Sequence, residues 1–120
     1  MENYSNVNEI IKGFENKKIL IIGDSILDVM VHSKVIGHAH ETPTLKAEEI
    51  KTDYSFGGAS NIVNNILGLD ANCYFITILG NDQDGDYFKN YNHNKFNLLG
   101  ITEDNRKTIA KKRFWIEKSG

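Results

Sequence analysis

The segment "FGGASN", Phe56–Asn61, separates a strand-like stretch of sequence from a helix-like one. Residues 44–54 before it alternate loosely between β-forming and charged residues, which is typical of exposed strands with one solvated face. Apolar side chains after it recur at helical spacing, namely Ile62, Val63, Ile66, Leu67 and Leu69. Adjacent glycines suit a sharp bend or the close approach of a ligand to the backbone. The segment therefore predicts a junction between a strand and a helix.

Upstream, the stretch "ILIIGDSILD", Ile19–Asp28, begins with a continuous apolar run. Such a run is consistent with a strand that is buried on both faces of a parallel sheet. The Gly-Asp-Ser that follows allows two interpretations. Ser25 is the nucleophile of a hydrolase with a Gly-Asp-Ser-Leu-type block, or the run is the first strand of a fold that handles nucleotides or sugars. In the second case we expect Asp28, past the end of the strand, to be the functional residue.

Downstream, "CYFITIL", Cys73–Leu79, predicts a second buried strand, and "GNDQDGDYF", Gly80–Phe88, predicts a helix capped by Asp82 or Asp84. Asp70 suits the left-handed conformation with which a helix often ends. The stretch "KTIAKKRFWIEK", 107–118, alternates and predicts a strand. The resulting order is strand, polar strand excursion, helix, strand, helix, strand. It predicts a parallel α/β sheet with an insertion of strands.

The composition describes one small globular domain of 120 residues, with 40% hydrophobic and 25% charged residues. A net charge of −2 gives no reason to expect binding to nucleic acid or to an anionic membrane. No apolar run approaches the ~20 residues of a membrane helix, and the polar first residues do not resemble a secretory signal. We therefore expect a cytoplasmic protein. The single cysteine, Cys73, lies in an apolar run and is expected to be a buried thiol.

The hydrolase interpretation lacks a base for Ser25. A serine nucleophile needs a group that accepts its proton, and hydrolases of this type take it from an Asp-x-x-His pair, a spacing that does not occur in this sequence. The four histidines lie in polar surroundings. "GND", 80–82, is one residue short of the Gly-x-Asn-Asp block that supplies the oxyanion donor. The serine hydrolase is therefore the least favoured alternative.

The sugar-binding interpretation rests on complementary polar groups. Asn61 offers a donor and an acceptor, and an ionised Asp28 offers acceptors only. Together with the bare backbone of Gly57 and Gly58, they are suited to bind vicinal hydroxyls. The alternative is a glycine turn, an asparagine at the start of a helix and a solvated aspartate, and the residues alone leave both open.

The same motifs resemble the N-terminal part of ribokinase-like (PfkB-type) carbohydrate kinases. Their first signature has two glycines, a small residue, a variable position and Asn, followed nineteen residues later by Gly. The matching residues here are Gly57, Gly58, Ala59, Asn61 and Gly80. The departures are Val63, where a small residue is usual, and Asp70, where Gly or Ser is usual. Within the family the resemblance is greatest to the heptose-phosphate kinase module of ADP-heptose synthesis enzymes, and it rests on Glu41, Pro43, Lys111 and Arg113.

The resemblance implies a three-layer α/β sandwich, here apparently truncated, with a parallel core sheet and a small β lid. Residues 1–17 would be a helical extension and residues 18–120 the N-terminal part of the kinase domain, with lid strands at about 30–33 and 44–54. The sugar would lie between the core and the lid. Lids of many family members pair into a homodimer, which we also expect here.

The resemblance also implies roles for single residues. Asp28 and Asn61 would bind sugar hydroxyls, and Gly57 and Gly58 would form the hinge of the lid. Lys111 and Arg113, two apart on a strand, share one face and would bind a phosphate on the sugar. The alternative for that pair is a solvated strand face.

No catalytic residue and no metal ligand is assigned in this sequence. The catalytic base of the family lies in a Gly-x-Gly-Asp stretch near its ATP site, and these 120 residues contain no such stretch. ATP and Mg²⁺ would therefore be bound by a later part of the kinase, and this chain alone would be inactive. A non-catalytic sugar-binding or dimerisation module is the second alternative.

Overall fold

In a computed structural model the protein, described for residues 5–117, contains three helices and six strands in those residues. The helices are α1 Ser5–Lys12, α2 Ala59–Gly68 and α3 Gln83–Lys89, and the strands are β1 Lys18–Ile22, β2 Ser25–His38, β3 Leu45–Gly58, β4 Asn72–Gly80, β5 Phe96–Glu103 and β6 Ile109–Glu117. Residues 1–4 of the predicted N-terminal extension and residues 118–120 lie outside the described part.

The first sheet, called the core sheet, has the order β1-β4-β5 and is entirely parallel. Alternate side chains of β4, from Cys73 to Leu79, are buried on the face that α2 and α3 cover. Val63 of α2 packs there against Cys73 and Phe75, while Phe88 of α3 packs with Leu79. The prediction of an α/β fold with a parallel core sheet is therefore confirmed.

The second sheet has the order β3-β2-β6, and β2 in its centre is antiparallel to β3 and parallel to β6. Both β2 and β3 are 14 residues long, and their pairing is interrupted by irregularities after His32 and after Val35. The segment 30–33 lies within β2, and residues 45–54 lie within β3. Most of β3 is exposed, in line with its charged sequence.

Two strands differ from the sequence prediction. The strand β5 was not predicted, because Asn97 and Gly100 are weak β-formers and because this edge strand is exposed at most positions. The strand β6 was predicted, but its assignment to the core was wrong, since it pairs with β2 of the second sheet. Its sequence accounts for this position, because Lys111, Lys112 and Arg113 interrupt the apolar run that a doubly buried parallel strand requires.

Two predicted helix boundaries are confirmed, the end of α2 and the start of α3. Asp70 follows α2 with a φ of 59°, the left-handed conformation expected of it. Asp82 is the residue that caps α3, and its side chain accepts a hydrogen bond from the Gly85 N–H at 2.8 Å. Cys73 is fully buried, and burial raises the pKa of its thiol.

The other face of the core sheet is not covered by any element among residues 5–117. Its exposed apolar side chains include Leu20, Ile22, Leu99 and Ile101, all more than half exposed. The amphipathic helix α1 likewise exposes its apolar residues, among them Ile10. None of the helices in the described part is both long and apolar enough to span a membrane.

Candidate functional site

Two tight turns pack against each other where the two sheets meet. The turn between β1 and β2 contains Gly23 and Asp24, and the junction of β3 and α2 contains Gly58 and Ala59. The Ala59 N–H donates to the Asp24 carbonyl at 3.0 Å. Gly58 has a φ of +59°, and a Cβ there would lie 2.9 Å from the same carbonyl oxygen. Only glycine fits this position without strain, because both its backbone conformation and the adjacent turn exclude a side chain.

Asp28 lies past the end of β1, as expected, but it is already within β2, three residues after that strand begins. The apolar run ends at Ile22, and the chain turns and re-enters a sheet at Ser25. The Asp28 side chain leans over Gly57 on β3, where a Cβ would overlap its Oδ2 atom. The missing side chain of Gly57 thus leaves the space that the carboxylate occupies.

The strand β6 brings both predicted cations to Asp28. Lys111 is the register partner of Asp28, and Arg113 is the partner of Met30. The Arg113 guanidinium donates from one terminal nitrogen, Nη1, to Asp28 Oδ1 at 3.0 Å, across 85 residues of sequence. The Asp28 side chain is 28% exposed and that of Arg113 48%. Within residues 5–117 the exposed Lys111 makes neither a side-chain hydrogen bond nor a salt bridge.

Asn61 remains apart from this group. Its exposed side chain lies in the first turn of α2, and within residues 5–117 it makes no hydrogen bond. The residue before it, Ser60, is buried and donates its hydroxyl proton to the Gly57 carbonyl at 2.5 Å. The structure therefore joins Asp28, Gly57, Lys111 and Arg113 by contact or register, with Gly58 next to Gly57, and leaves Asn61 accessible nearby in the chain.

Ser25 is built into the core and is not available as a nucleophile. The residue is 2% exposed, and its Oγ accepts a hydrogen bond from Thr77 Oγ1 at 3.1 Å. Its backbone N–H donates to the same Thr77 oxygen at 3.0 Å. His32, on the same strand, bonds to Asp53 at 3.0 Å. These contacts argue against the hydrolase interpretation.

Asp82 fixes the start of β6, a role that the sequence did not reveal. Its Oδ2 accepts from the Thr108 N–H at 2.8 Å, while Oδ1 caps α3. The Thr108 hydroxyl in turn accepts from the Gly80 N–H at 2.9 Å. Desolvation opposes the charge on Asp82, but the hydrogen bonds from Thr108 and Gly85 outweigh it and lower the pKa of this carboxyl. Asp82 thereby helps to place Lys111 and Arg113.

A second charged group on the Asp28 face of the second sheet was also missed. Asp53 accepts from Lys51 at 2.9 Å and from His32 at 3.0 Å. The hydrogen bond from Lys51 is the main cause that lowers the pKa of Asp53, against a smaller effect of desolvation, and His32 adds to it. Met30 has Asp53 as its register partner on β3 and Arg113 as its register partner on β6. Asp53 and Arg113 therefore lie on the same face of the second sheet. The sequence signal that could have revealed this group is the alternation of charged residues, Lys51 and Asp53, along the strand.

Comparison with known proteins supports the resemblance. No protein-family model matches the chain. The bifunctional protein HldE of Helicobacter pylori strain P12 is 35% identical over 74 residues, which are 62% of this chain and 16% of that protein. The HldE of Geotalea uraniireducens is 28% identical over 96 residues, 79% of this chain and 20% of that protein. The chain thus spans about a fifth or less of the length of these curated relatives.

Solved structures show the same fold. A carbohydrate kinase from Agrobacterium tumefaciens superposes with a TM-score of 0.62 at 18% identity, over 83% of this chain and 32% of that one. Phosphofructokinase-2 from Escherichia coli gives a TM-score of 0.57 at 13% identity, over 85% and 31%. The fold is that of a ribokinase-like carbohydrate kinase. The predicted resemblance is thereby confirmed, and this chain covers about a third of such a kinase.

Proposed function

We propose that this chain is the sugar-binding N-terminal part of an ATP-dependent carbohydrate kinase. The reaction would transfer a phosphoryl group from Mg-ATP to a hydroxyl of a sugar or a sugar phosphate. The observation that carries the proposal is the position of the Asp28 carboxylate over Gly57, beside Lys111 and Arg113. The HldE relatives and the kinase fold support it.

The sugar would be held by hydroxyl–carboxylate and hydroxyl–amide hydrogen bonds. An ionised Asp28 has acceptor positions beyond the one that Arg113 uses, and these can accept from hydroxyl groups. The exposed amide of Asn61 adds a donor and an acceptor. At the junction of β3 and α2, Gly58 is exposed while Gly57 is buried beneath the Asp28 carboxylate, and we propose that the two glycines serve as the hinge of the second sheet.

A phosphate on the sugar would lie near Lys111 and Arg113. The ammonium group of Lys111 is exposed and has no ionic partner among residues 5–117, so it is free to pair with an anion. Arg113 has further N–H groups besides the one that donates to Asp28. This pair of cations, together with the HldE relatives, supports a heptose 7-phosphate as the substrate.

ATP and Mg²⁺ would bind to parts of the kinase other than these residues. Phosphoryl transfer depends on positioning and on charge stabilisation around the phosphates. The 120 residues contain no Gly-x-Gly-Asp stretch to supply the base of the family. We therefore propose that a polypeptide of these 120 residues alone is inactive. Since the reaction uses ATP, we propose a cytoplasmic location.

The second sheet would act as a lid and as a dimer contact. Phe114 and Ile116 are 65% and 51% exposed on the face opposite to Asp28 and Arg113. Pairing of two lids through such a face would bury apolar surface. Closure over the sugar would exclude water, which otherwise competes with the sugar hydroxyl for the phosphoryl group.

Sugar-dependent ATP consumption by the full protein that carries this chain tests the proposal. We expect turnover with a heptose 7-phosphate and a loss of roughly 10- to 100-fold in kcat/KM in the Asp28→Ala variant, because a charged hydrogen-bond acceptor is removed. The control is Asp104→Asn, an exposed aspartate whose side chain, within residues 5–117, bonds only to Asn81. Normal turnover in Asp28→Ala would contradict the site. Sugar binding without ATP consumption would favour the non-catalytic binding module.

A further inference from the structure

The Asp28 carboxylate is held by a hydrogen bond at one oxygen atom, and the other lies in the space that Gly57 leaves free. Oδ1 accepts a hydrogen bond from Arg113 on β6 at 3.0 Å. Oδ2 lies against the bare Cα of Gly57 on β3, where any side chain would overlap it. The two neighbours of β2 thus fix the orientation of one side chain that would otherwise rotate. A carboxylate held in this way loses less conformational freedom when it binds a ligand.

The partner of Asp28 is the arginine and not the nearer lysine. Lys111 is the register partner of Asp28, yet the hydrogen bond comes from Arg113, which reaches back from the position opposite Met30. Both residues point to the same face, because they are two apart on a strand. The planar guanidinium can keep one N–H fixed on a carboxylate oxygen, whereas an ammonium rotates freely on a flexible stem. The two cations therefore have different surroundings.

We infer that Arg113 is a positioning residue for Asp28, and that Lys111 alone supplies the main contact to a phosphate. This inference rests on the proposed sugar-binding function and assigns a separate role to each of the two cations within that site. Arg113 orients the carboxylate that accepts the sugar hydroxyls, so its effect reaches every sugar that Asp28 binds. Lys111 affects only sugars that carry a phosphate.

The inference predicts that Arg113 and Lys111 affect the binding of different ligands. Calorimetric titration of the full protein with a heptose 7-phosphate and with the same heptose without phosphate gives a Kd for each. We expect Arg113→Gln to raise both values by a similar factor of about five, the factor for a partly exposed charge pair. Lys111→Gln should raise the Kd of the phosphorylated sugar selectively. Lys112→Gln removes a charge from the opposite face of β6 and serves as the matched control.

A double-mutant cycle tests the pair itself without any sugar. Urea unfolding of Asp28→Asn, Arg113→Gln and the double variant should show non-additive losses of stability, because the second substitution removes a contact that is already lost. In the titrations the double variant should bind the free heptose no worse than Asp28→Asn alone. Arg113→Lys, which keeps a positively charged hydrogen-bond donor, should restore part of the affinity for both sugars.

Three results would overturn the inference, and they differ from failure of the proposed function. An Arg113→Gln variant that loses affinity only for the phosphorylated sugar would make Arg113 a phosphate ligand. Additive stability losses would show that the Asp28–Arg113 pair is absent in solution. Additive losses in the affinity for the free heptose would show that Arg113 does not act through Asp28. If the pair couples but the wild-type protein binds neither sugar, the proposed function is wrong and the inference falls with it.

Discussion

Asp82 shows how one carboxylate can connect two parts of the chain that are distant in sequence. It caps α3 through the Gly85 N–H and accepts from the Thr108 N–H just before β6. The cap follows from residue type and position in the sequence. The contact with Thr108 does not, since it joins residues that are 26 apart and depends on the folded path of the chain.

The Asp82→Ala variant should be less stable by about 1–2 kcal/mol at pH 7, because a helix cap and a second backbone donor lose their acceptor. The folded protein lowers the pKa of Asp82. Its contribution is therefore complete above the pKa of the unfolded state, about 3.9, and is lost as the pH falls through the lower folded value. Urea unfolding at pH 7 and at pH 2.5 measures this. A difference between wild type and variant that does not shrink in acid would contradict the assignment.

Single residues were predicted well where the local sequence decides their role. The left-handed Asp70 and the capping Asp82 follow from residue type next to a helix boundary. Asp28 lies beyond the first strand as predicted, but the start of the new strand that holds it was not predicted, because the residues do not show that the chain turns at Gly23 and enters β2 at Ser25. The contact between Arg113 and Asp28 could not be predicted from the sequence, since it depends on the register between β2 and β6.

At the scale of elements, the junction between β3 and α2 is determined by Gly58. Its positive φ, together with the hydrogen bond from the Ala59 N–H to the Asp24 carbonyl, directs the chain from β3 into α2. The segment "FGGASN" predicted this junction from the change in periodicity. The required backbone conformation explains why a glycine occupies this position.

The Gly58→Ala variant should lose about 1–3 kcal/mol of stability, because alanine adopts this conformation only with strain and its Cβ would meet the Asp24 oxygen. Gly68→Ala is the matched control. Gly68 is the last residue of α2, and a Cβ there meets nothing within 4 Å, so that variant should be neutral or slightly more stable. Thermal unfolding of both variants compares them. Equal stability of the two would argue against a constrained junction.

The strands illustrate what periodicity can and cannot predict. The strands β1 and β4 are short apolar runs and were recognised as strands. The prediction that β1 is buried on both faces was wrong for the described residues, since Ile21 is buried but Leu20 and Ile22 on the other face are exposed. The edge strand β5 contains Asn97 and Gly100 and has little apolar burial, so its pairing with β4 is a tertiary effect. The strand β6 was recognised, but its sheet was not, because periodicity gives no information on the pairing partner.

At the scale of the whole molecule, the two sheets meet where β1 ends, at the two packed turns that contain Gly23 and Gly58. The second sheet carries the polar side chains of Asp28, Lys111 and Arg113 on one face. The core sheet has one apolar face that no element among residues 5–117 covers. The fold class was predictable from motif spacing together with the order of elements. The resemblance also predicted a second, smaller sheet beside the core sheet, but not that β6 belongs to it, because that depends on which strand β6 pairs with.

The most direct test is calorimetric titration of a heptose 7-phosphate into the purified full protein and into its Asp28→Asn variant. That substitution keeps the shape of the side chain and removes its charge. We predict saturable binding to the wild-type protein and a Kd raised roughly 10- to 100-fold in the variant, as expected when a charged acceptor of hydroxyl hydrogen bonds is lost. Equal affinity of the two proteins would contradict the sugar site, and no binding to wild type would contradict the proposed substrate class.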